Sequence, residues 1–340
     1  MGLSIRFEFN VHIYRGSRIN NEMESPKAKI NIKTVPLKDC KDKRSFFKAV
    51  EDEIIKLEAS RSVSTISNFR CVLKSLKRFL NRDIAISEID SGLLESYDKW
   101  LRDNDVCLNS ISCYMRSLRS LMSKICGEES RQMFRNVFTG RTKTDKRAIP
   151  ESYISRIKAM SLKKGSFLCL ARDVFLFSFY ALGMPFVDIC FLRKSQICDG
   201  HLSYERHKTG QKVVVCLEPC MTEIINRYRR KDSDYVFPLL QSTEPKEAYR
   251  QYLSRLSSYN KALIRLAQLA GIASRLTSYT PRHTWASVAY NSNIDLPVIS
   301  KALGHANPQT TLTYIKEIND DRLVEANHTI MSRIAKLNNN

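Results

Sequence analysis

Missing from this sequence is any run approaching the ~18 apolar residues that a membrane-crossing helix needs, and no Cys-x-x-Cys spacing occurs. The first absence argues against a helical membrane protein. The second, with ten cysteines scattered along the chain, argues against a small zinc module. The nearest pair, Cys216 and Cys220, lies far from any histidine cluster, so neither a metal nor a cofactor is expected. Reduced, buried thiols in a cytosolic chain are the expectation. The opening stretch MGLSIRFEFNVHIYR alternates polar and apolar residues and lacks the apolar core of a secretion signal. Arg6 makes Met1-Gly2 a poor myristoylation start. No internal repeat is present.

Acidic residues are also scarce. Lys and Arg number 55 against 35 Asp and Glu, leaving a net charge of +20 and a pI near 9.6. Such an excess favours a polyanionic partner, because neutralising phosphates supplies much of the affinity for nucleic acid. A ribosome-type basic protein or a binder of acidic membranes would share the charge. Hydrophobic residues at 43% and charged residues at 26% are ordinary for a globular chain, and 340 residues suit two domains with a small extra module.

The periodicity divides the chain. Ile5, Phe7, Phe9, Val11 and Ile13 alternate with polar residues, and a second alternation covers Lys29 to Lys33, so residues 1–36 read as a small β hairpin. From Ser45 the period becomes helical: Phe46, Val50, Ile54 and Leu57 form one stripe, and Ile66, Phe69, Leu73, Leu76 and Leu80 another. Further helices are expected over Ser91–Arg102 and from Asn109, as cap, to about Cys126. Two of these four carry basic outer ridges, Arg70, Lys74, Lys77 and Arg78, then Arg116, Arg119 and Lys124. Residues 44–126 thus read as a small basic helical domain. Residues 127–149 read as a linker containing Lys143, Lys146 and Arg147. A larger domain follows over 150–325, with an apolar helix at 168–182, a break at Gly183-Met184-Pro185, and a hairpin turning at Lys208-Thr209-Gly210. Residues 326–340 form a tail, and with the amphipathic stretch from Leu323 to Leu337 it is expected to dock on a neighbouring protomer.

Three phrases in the larger domain carry chemistry: Arg206-His207-Lys208-Thr209-Gly210-Gln211, Thr280-Pro281-Arg282-His283, and Leu303-Gly304-His305 with Thr310-Thr311-Leu312-Thr313-Tyr314. Cutting a phosphodiester without a metal needs a nucleophile, cations on the phosphoryl oxygens and an acid for the leaving oxygen. With Asn136-Val137-Phe138-Thr139-Gly140, Ala171 to Tyr180 and Phe186-Val187-Asp188-Ile189, the array resembles the tyrosine recombinase (phage integrase) family, in its Bacteroidetes-type form, over about residues 44–325.

The resemblance implies a mainly α fold with small β elements: a SAM-like helical core-binding domain, then a DNA breaking-rejoining catalytic domain with a small antiparallel sheet, clamped around duplex DNA. It implies Tyr314 as nucleophile forming a 3′-phosphotyrosine, Arg282 as a phosphate-binding guanidinium, His305 as a phosphate contact, and Lys208 as acid for the leaving 5′-oxygen. It implies tetramers on paired DNA sites, with DNA-bending or directionality factors as helpers and residues 1–36 as a truncated arm-binding domain. A free-standing structural hairpin is the other reading of 1–36. Two departures stand out. Tyr279 occupies the place of the family's histidine. The first catalytic arginine is missing: Pro185 and Leu182 hold its expected positions, and Arg172 and Arg193 are the nearest candidates. A structural ion pair with Asp173 or Asp188 is the alternative reading of Arg172. The chain is therefore expected to be a site-specific recombinase, or else a DNA-binding accessory protein on the same scaffold with impaired cleavage.

Overall fold

The computed structural model describes residues 42–142, 147–307, 309–314, 327–328 and 330–331. The expected hairpin over 1–36, Lys143, Lys146 and most of the tail lie outside these residues. The chain divides into two units, up to Thr144 and from Asp145.

The first unit is helical: α1 (Phe46–Leu57), α2 (Val63–Leu80), α3 (Ser91–Asp103) and α4 (Leu108–Cys126). Ser45, Ser62 and Asp90 each cap a helix by accepting a backbone N–H with the side chain, satisfying donors that the first turn leaves open. The stripes at Phe46, Val50, Ile54 and Leu57 and at Ile66, Phe69, Leu73 and Leu76 face one core. Two expectations are corrected here. Asn109 does not cap α4; that position is Cys107. Asn109 instead accepts from Thr142 N at 3.0 Å and donates to Thr142 O at 3.2 Å. Nor is 127–142 a free linker. Glu128–Phe134 forms a tight helical turn, Met133, Phe134 and Val137 join the core, and Ser112 Oγ donates to Gly140 O at 2.6 Å. Glu128, Glu129, Arg131, Arg135 and Arg141 are the exposed outer side of this packed segment.

The second unit comprises α5 (Glu151–Lys158), α6 (Phe167–Tyr180), α7 (Phe186–Cys190), β1 (Ile197–Cys198), β2 (His201–Glu205), β3 (Lys212–Cys216), α8 (Pro219–Tyr228), α9 (Pro245–Leu269), α10 (Thr280–Asn291), α11 (Leu296–Ala302) and α12 (Gln309–Leu312). The sheet is antiparallel in the order β1-β2-β3, with Leu202 opposite Val215 and Tyr204 opposite Val213. All four are buried, as the two-residue side-chain period requires. Helix α6 is apolar nearly all round, and nine of its residues are buried, so it forms the axis of the unit. Phe177 meets Phe237 edge-on at 4.9 Å, and Phe186 stacks on Tyr259 at 4.2 Å. The fold is mainly α with a small antiparallel sheet.

Phe177 is fully buried on that axis. Phe177→Ala is expected to destabilise the protein by about 3–5 kcal/mol. Urea denaturation checks this, and a loss below about 1 kcal/mol would show that its neighbours close the cavity.

Candidate active site

The site begins where α6 ends. Leu182 and Gly183 both take left-handed backbone angles, with φ of 58° and 70°, turning the chain toward α7. A Cβ on Gly183 would lie 2.9 Å from Arg282 Cα, so only glycine lets α10 approach this closely. The contact fixes Arg282, whose Nη1 donates to Gly183 O at 3.0 Å. Its Nη2 donates to Leu303 O at 2.6 Å and to His305 Nε2 at 2.8 Å. Its Nε is buried without a hydrogen-bond partner among the described residues. Arg282 is 1% exposed and bonds to no carboxylate among the described residues. Burial, and then the charge of Arg206, lower its pKa from the ordinary arginine value.

Arg206 is the functional residue that the sequence reading missed. It is 4% exposed and follows β2, where Leu202 and Tyr204 point inward. The alternation therefore carries residue 206 to the buried face, and a charged residue at such a position is the signal that could have found it. Its Nε donates to Asp188 Oδ2 at 3.1 Å. Its Nη1 donates to Leu303 O, the same carbonyl that Arg282 uses, and reaches Gly304 O at 3.5 Å. Gly304 has a φ of 61°, and a Cβ there would strike Arg206 Cγ at 2.9 Å. Asp188, on α7, is the second missed residue. Besides Arg206 it accepts from His207 N at 3.0 Å and lies 2.6 Å from His207 Nδ1.

Lys208 sits exposed in the hairpin turn. Both flanks of the turn are anchored, by Arg206 and by Thr209 Oγ1, which donates to Gly304 O at 3.2 Å. The Lys208 ammonium is close enough to act electrostatically on His305. Burial first, and then the charges of Arg282, Arg206 and Lys208, push the His305 imidazole down to about 3. His305 is therefore neutral at physiological pH.

The Tyr314 ring closes the group. It stacks on His305 at 5.1 Å and lies 4.6 Å from the His283 ring, with Arg282 Cζ 5.2 Å from its centroid. Tyr279 belongs to the same cluster. Burial chiefly, and Tyr314 next, push its phenol well above the usual tyrosine value, opposed by Arg282 and Arg206. It stays a neutral donor.

Arg172 is not in this cluster, which corrects the sequence reading. Its Nε donates to Asp173 at 2.9 Å and its Nη1 to Met160 O at 2.6 Å. The nearly buried Asp173 also takes Arg227 at 2.6 Å and Tyr228 at 2.7 Å. Arg172 thus belongs to a structural hub joining α6 and α8 to the chain beyond α5. Arg193 is engaged elsewhere, 5.9 Å from the Tyr235 ring. In the first unit, Arg70 pairs with Glu58, and Lys77 with Glu51 at 2.6 Å. Arg116 Nε donates to Ser112 O at 3.2 Å. Lys74, Lys124 and Arg147 are exposed, and Arg119 is half-buried.

The His305 shift has a consequence for stability. An unfolded chain takes up a proton near the ordinary value of 6.5, whereas the folded chain does not until about 3. The unfolded state binds more protons between these values, so stability falls as pH drops through that window. His305→Gln is expected to weaken this acid sensitivity, seen as urea midpoints that decline less steeply from about pH 7 to pH 4. Parallel declines would contradict the assignment.

A family model described as "Phage integrase family" matches residues 161–320, and one described as "Phage integrase SAM-like domain" matches residues 45–128. A tyrosine recombinase of Pseudothermotoga lettingae is 23% identical over 278 residues, covering 76% of this chain and 87% of its own. The tyrosine recombinase XerD of Oceanobacillus iheyensis is 22% identical over 289 residues, covering 78% and 92%. The fold is similar to that of a lambda integrase dimer bound to a COC′ core site, with a TM-score of 0.61, 16% identity, and 82% and 80% of the two chains covered. The two family models together span most of the chain, in the order of its two units, and the chain belongs to the phage integrase family of tyrosine recombinases.

Proposed function

We propose that the chain is a site-specific DNA recombinase that cuts and rejoins strands through Tyr314. The carrying observation is the buried charge. Two guanidiniums, Arg206 and Arg282, converge on the Leu303 carbonyl, and among the described residues one carboxylate, Asp188, bonds to Arg206 alone. Buried charge calls for compensation. A phosphate brought to the pair would supply it, taking the Arg282 Nε–H that has no partner among the described residues, through the planar donors that suit phosphate oxygens. Arg206 then does the work of the arginine missing at Pro185.

In the proposed reaction the Tyr314 oxygen attacks phosphorus, the bond from phosphorus to the 5′-oxygen breaks, and the phenolic proton passes to solvent water as the new bond forms. Arg206, Arg282 and the neutral Tyr279 hydroxyl stabilise the charge on the nonbridging oxygens. Lys208 returns a proton to the departing 5′-oxygen. The strand is held as a 3′-phosphotyrosine ester, so its energy is kept for rejoining.

Lys74, Lys124, Arg119 and Arg147 would bind the backbone, joined by Arg70, Lys77 and Arg116. Exposed pairs such as Arg70–Glu58 are worth about 0–1 kcal/mol and can exchange an acid for a phosphate. Lys143 and Lys146 are assigned to the same task from the sequence alone. Duplex DNA as partner and assembly of four protomers are supported by similarity to a structure of a lambda integrase tetramer bound to a Holliday junction, with a TM-score of 0.60, 17% identity, and 81% and 78% of the two chains covered. The DNA substrate places the protein in the cytoplasm, on the nucleoid. Helper factors that bend DNA or set direction belong to the same scheme.

Incubation with nicked duplex carrying its site should yield a denaturant-resistant adduct that Tyr314→Phe abolishes. Binding without adduct would instead support an accessory DNA-binding protein. Arg206→Ala should slow adduct formation about 100-fold or more, the scale for losing one transition-state donor. Arg172→Ala should leave the rate intact while lowering stability. The opposite ranking of the two arginines would refute the role given to Arg206. On a duplex whose 5′-bridging oxygen is sulfur, the leaving group needs no proton, so Lys208→Ala should recover activity and Arg206→Ala should not.

A further inference from the structure

We propose that Thr311 is a positioning residue for strand cleavage: its hydroxyl holds His305 in the tautomer protonated at Nδ1, which leaves Nε2 free to seat Arg282. The proposal rests on the reading of Arg282 and Tyr314 as catalytic groups. It gives a role to a side chain that touches neither phosphate nor leaving group.

Hydrogen-bond inventory drives the argument. Arginine has donors and no acceptor, so the contact of Arg282 Nη2 with His305 Nε2 at 2.8 Å requires a lone pair on Nε2. A neutral imidazole carries one N–H, which must then be on Nδ1. Nδ1 faces Thr311 Oγ1 at 2.9 Å, so the hydroxyl oxygen accepts. Protonating Nε2 would set two donors against each other and place imidazolium beside guanidinium. Arg282 thus sets the imidazole state, and the hydroxyl holds it by giving the buried Nδ1–H an acceptor.

Thr311 is also tied to the nucleophile. It is fully buried, the one buried residue of α12. Its carbonyl accepts the backbone N–H of Tyr314 at 3.0 Å, while the Tyr314 ring stacks on the His305 ring. A closed circuit results: Tyr314 backbone to Thr311, Thr311 to His305, His305 to Arg282, and Arg282 back to the Tyr314 ring at 5.2 Å. Through it, the turn that carries the nucleophile and the cation that awaits the phosphate share one orientation.

Selective ¹⁵N labelling of the six histidines in the full-length protein tests this, with the His305 signals assigned by their loss in His305→Gln. The expected spectrum has a protonated Nδ1 and an unprotonated Nε2. A wild-type His305 protonated at Nε2 would overturn the proposal without any variant. Thr311→Val keeps volume and branching but offers no acceptor. It should shift the tautomer and slow single-turnover cleavage of nicked duplex about tenfold, the lower end for losing a hydrogen bond behind a functional histidine, with DNA affinity unchanged. Thr311→Ser restores the acceptor and should recover both readouts to within about threefold of wild type. Val and Ser variants slowed alike, with the tautomer unmoved, would reduce Thr311 to a packing residue and overturn the proposal. Absence of any wild-type adduct would overturn the reading of Tyr314 itself, and with it the catalytic meaning of Thr311, whatever the tautomer.

Discussion

The second unit is organised around an electrostatic imbalance that its described residues do not cancel. Arg206 and Arg282 come from a hairpin and a helix far apart in sequence, yet both donate to Leu303 O. Guanidiniums repel at this range, and burial adds the cost of lost hydration. Carbonyls of Gly183, Leu303 and Gly304 supply partial negative charge, and Asp188 supplies one full charge. The remainder is a cationic hole in a preorganised frame, where donors need not reorient as charge develops on a substrate. Neutral His305 and neutral Tyr279 fit the same frame, because an additional cation would deepen the repulsion and an anion would collapse the hole.

That frame accounts for the glycines and the short turns around it. Gly183 and Gly304 stand where side chains would collide with Arg282 and Arg206. Each also gives a carbonyl to the arginine that crowds it. Asp188 follows Pro185 by three residues on α7. The helix just after the missing arginine thus carries the anion that grips the arginine proposed to replace it. Moving the cation from α7 to the hairpin puts it two residues from Lys208, on one turn held by Asp188 and Gly304. In the proposed reaction, phosphate binding and protonation of the leaving group would be properties of a single element.

Much of this was legible in the sequence and some was not, for identifiable reasons. The helical stripes from Phe46 to Leu80, the break after α6 and the hairpin at Lys208 follow from periodicity and turn chemistry, which act locally. Arg282, His305 and Tyr314 were recognisable as a spaced set, and the structure brings them together. The replacement arginine was missed because nearness along α6 favoured Arg172, whereas the deciding contacts cross about a hundred residues, from Arg206 to Leu303. No local pattern encodes that distance. Packing of 127–142 on the first unit was hidden likewise, since Asn109 reads as an ordinary helix cap until Thr142 arrives as its partner.

Tyr314 is held quite differently from the cations. Arg206 and Arg282 are buried and tied to α7, α10 and the turn after α11, so displacing either means disrupting the core of the unit. Tyr314 is only half-buried and follows a four-residue helix with a single buried side chain. Ring contacts with His283 and His305, a 3.3 Å bond from Ser287 Oγ to its carbonyl, and its N–H to Thr311 hold it in place. The two guanidiniums are thus fixed by the core, whereas Tyr314 is tied to the site through the His305 ring and the turn at Thr311.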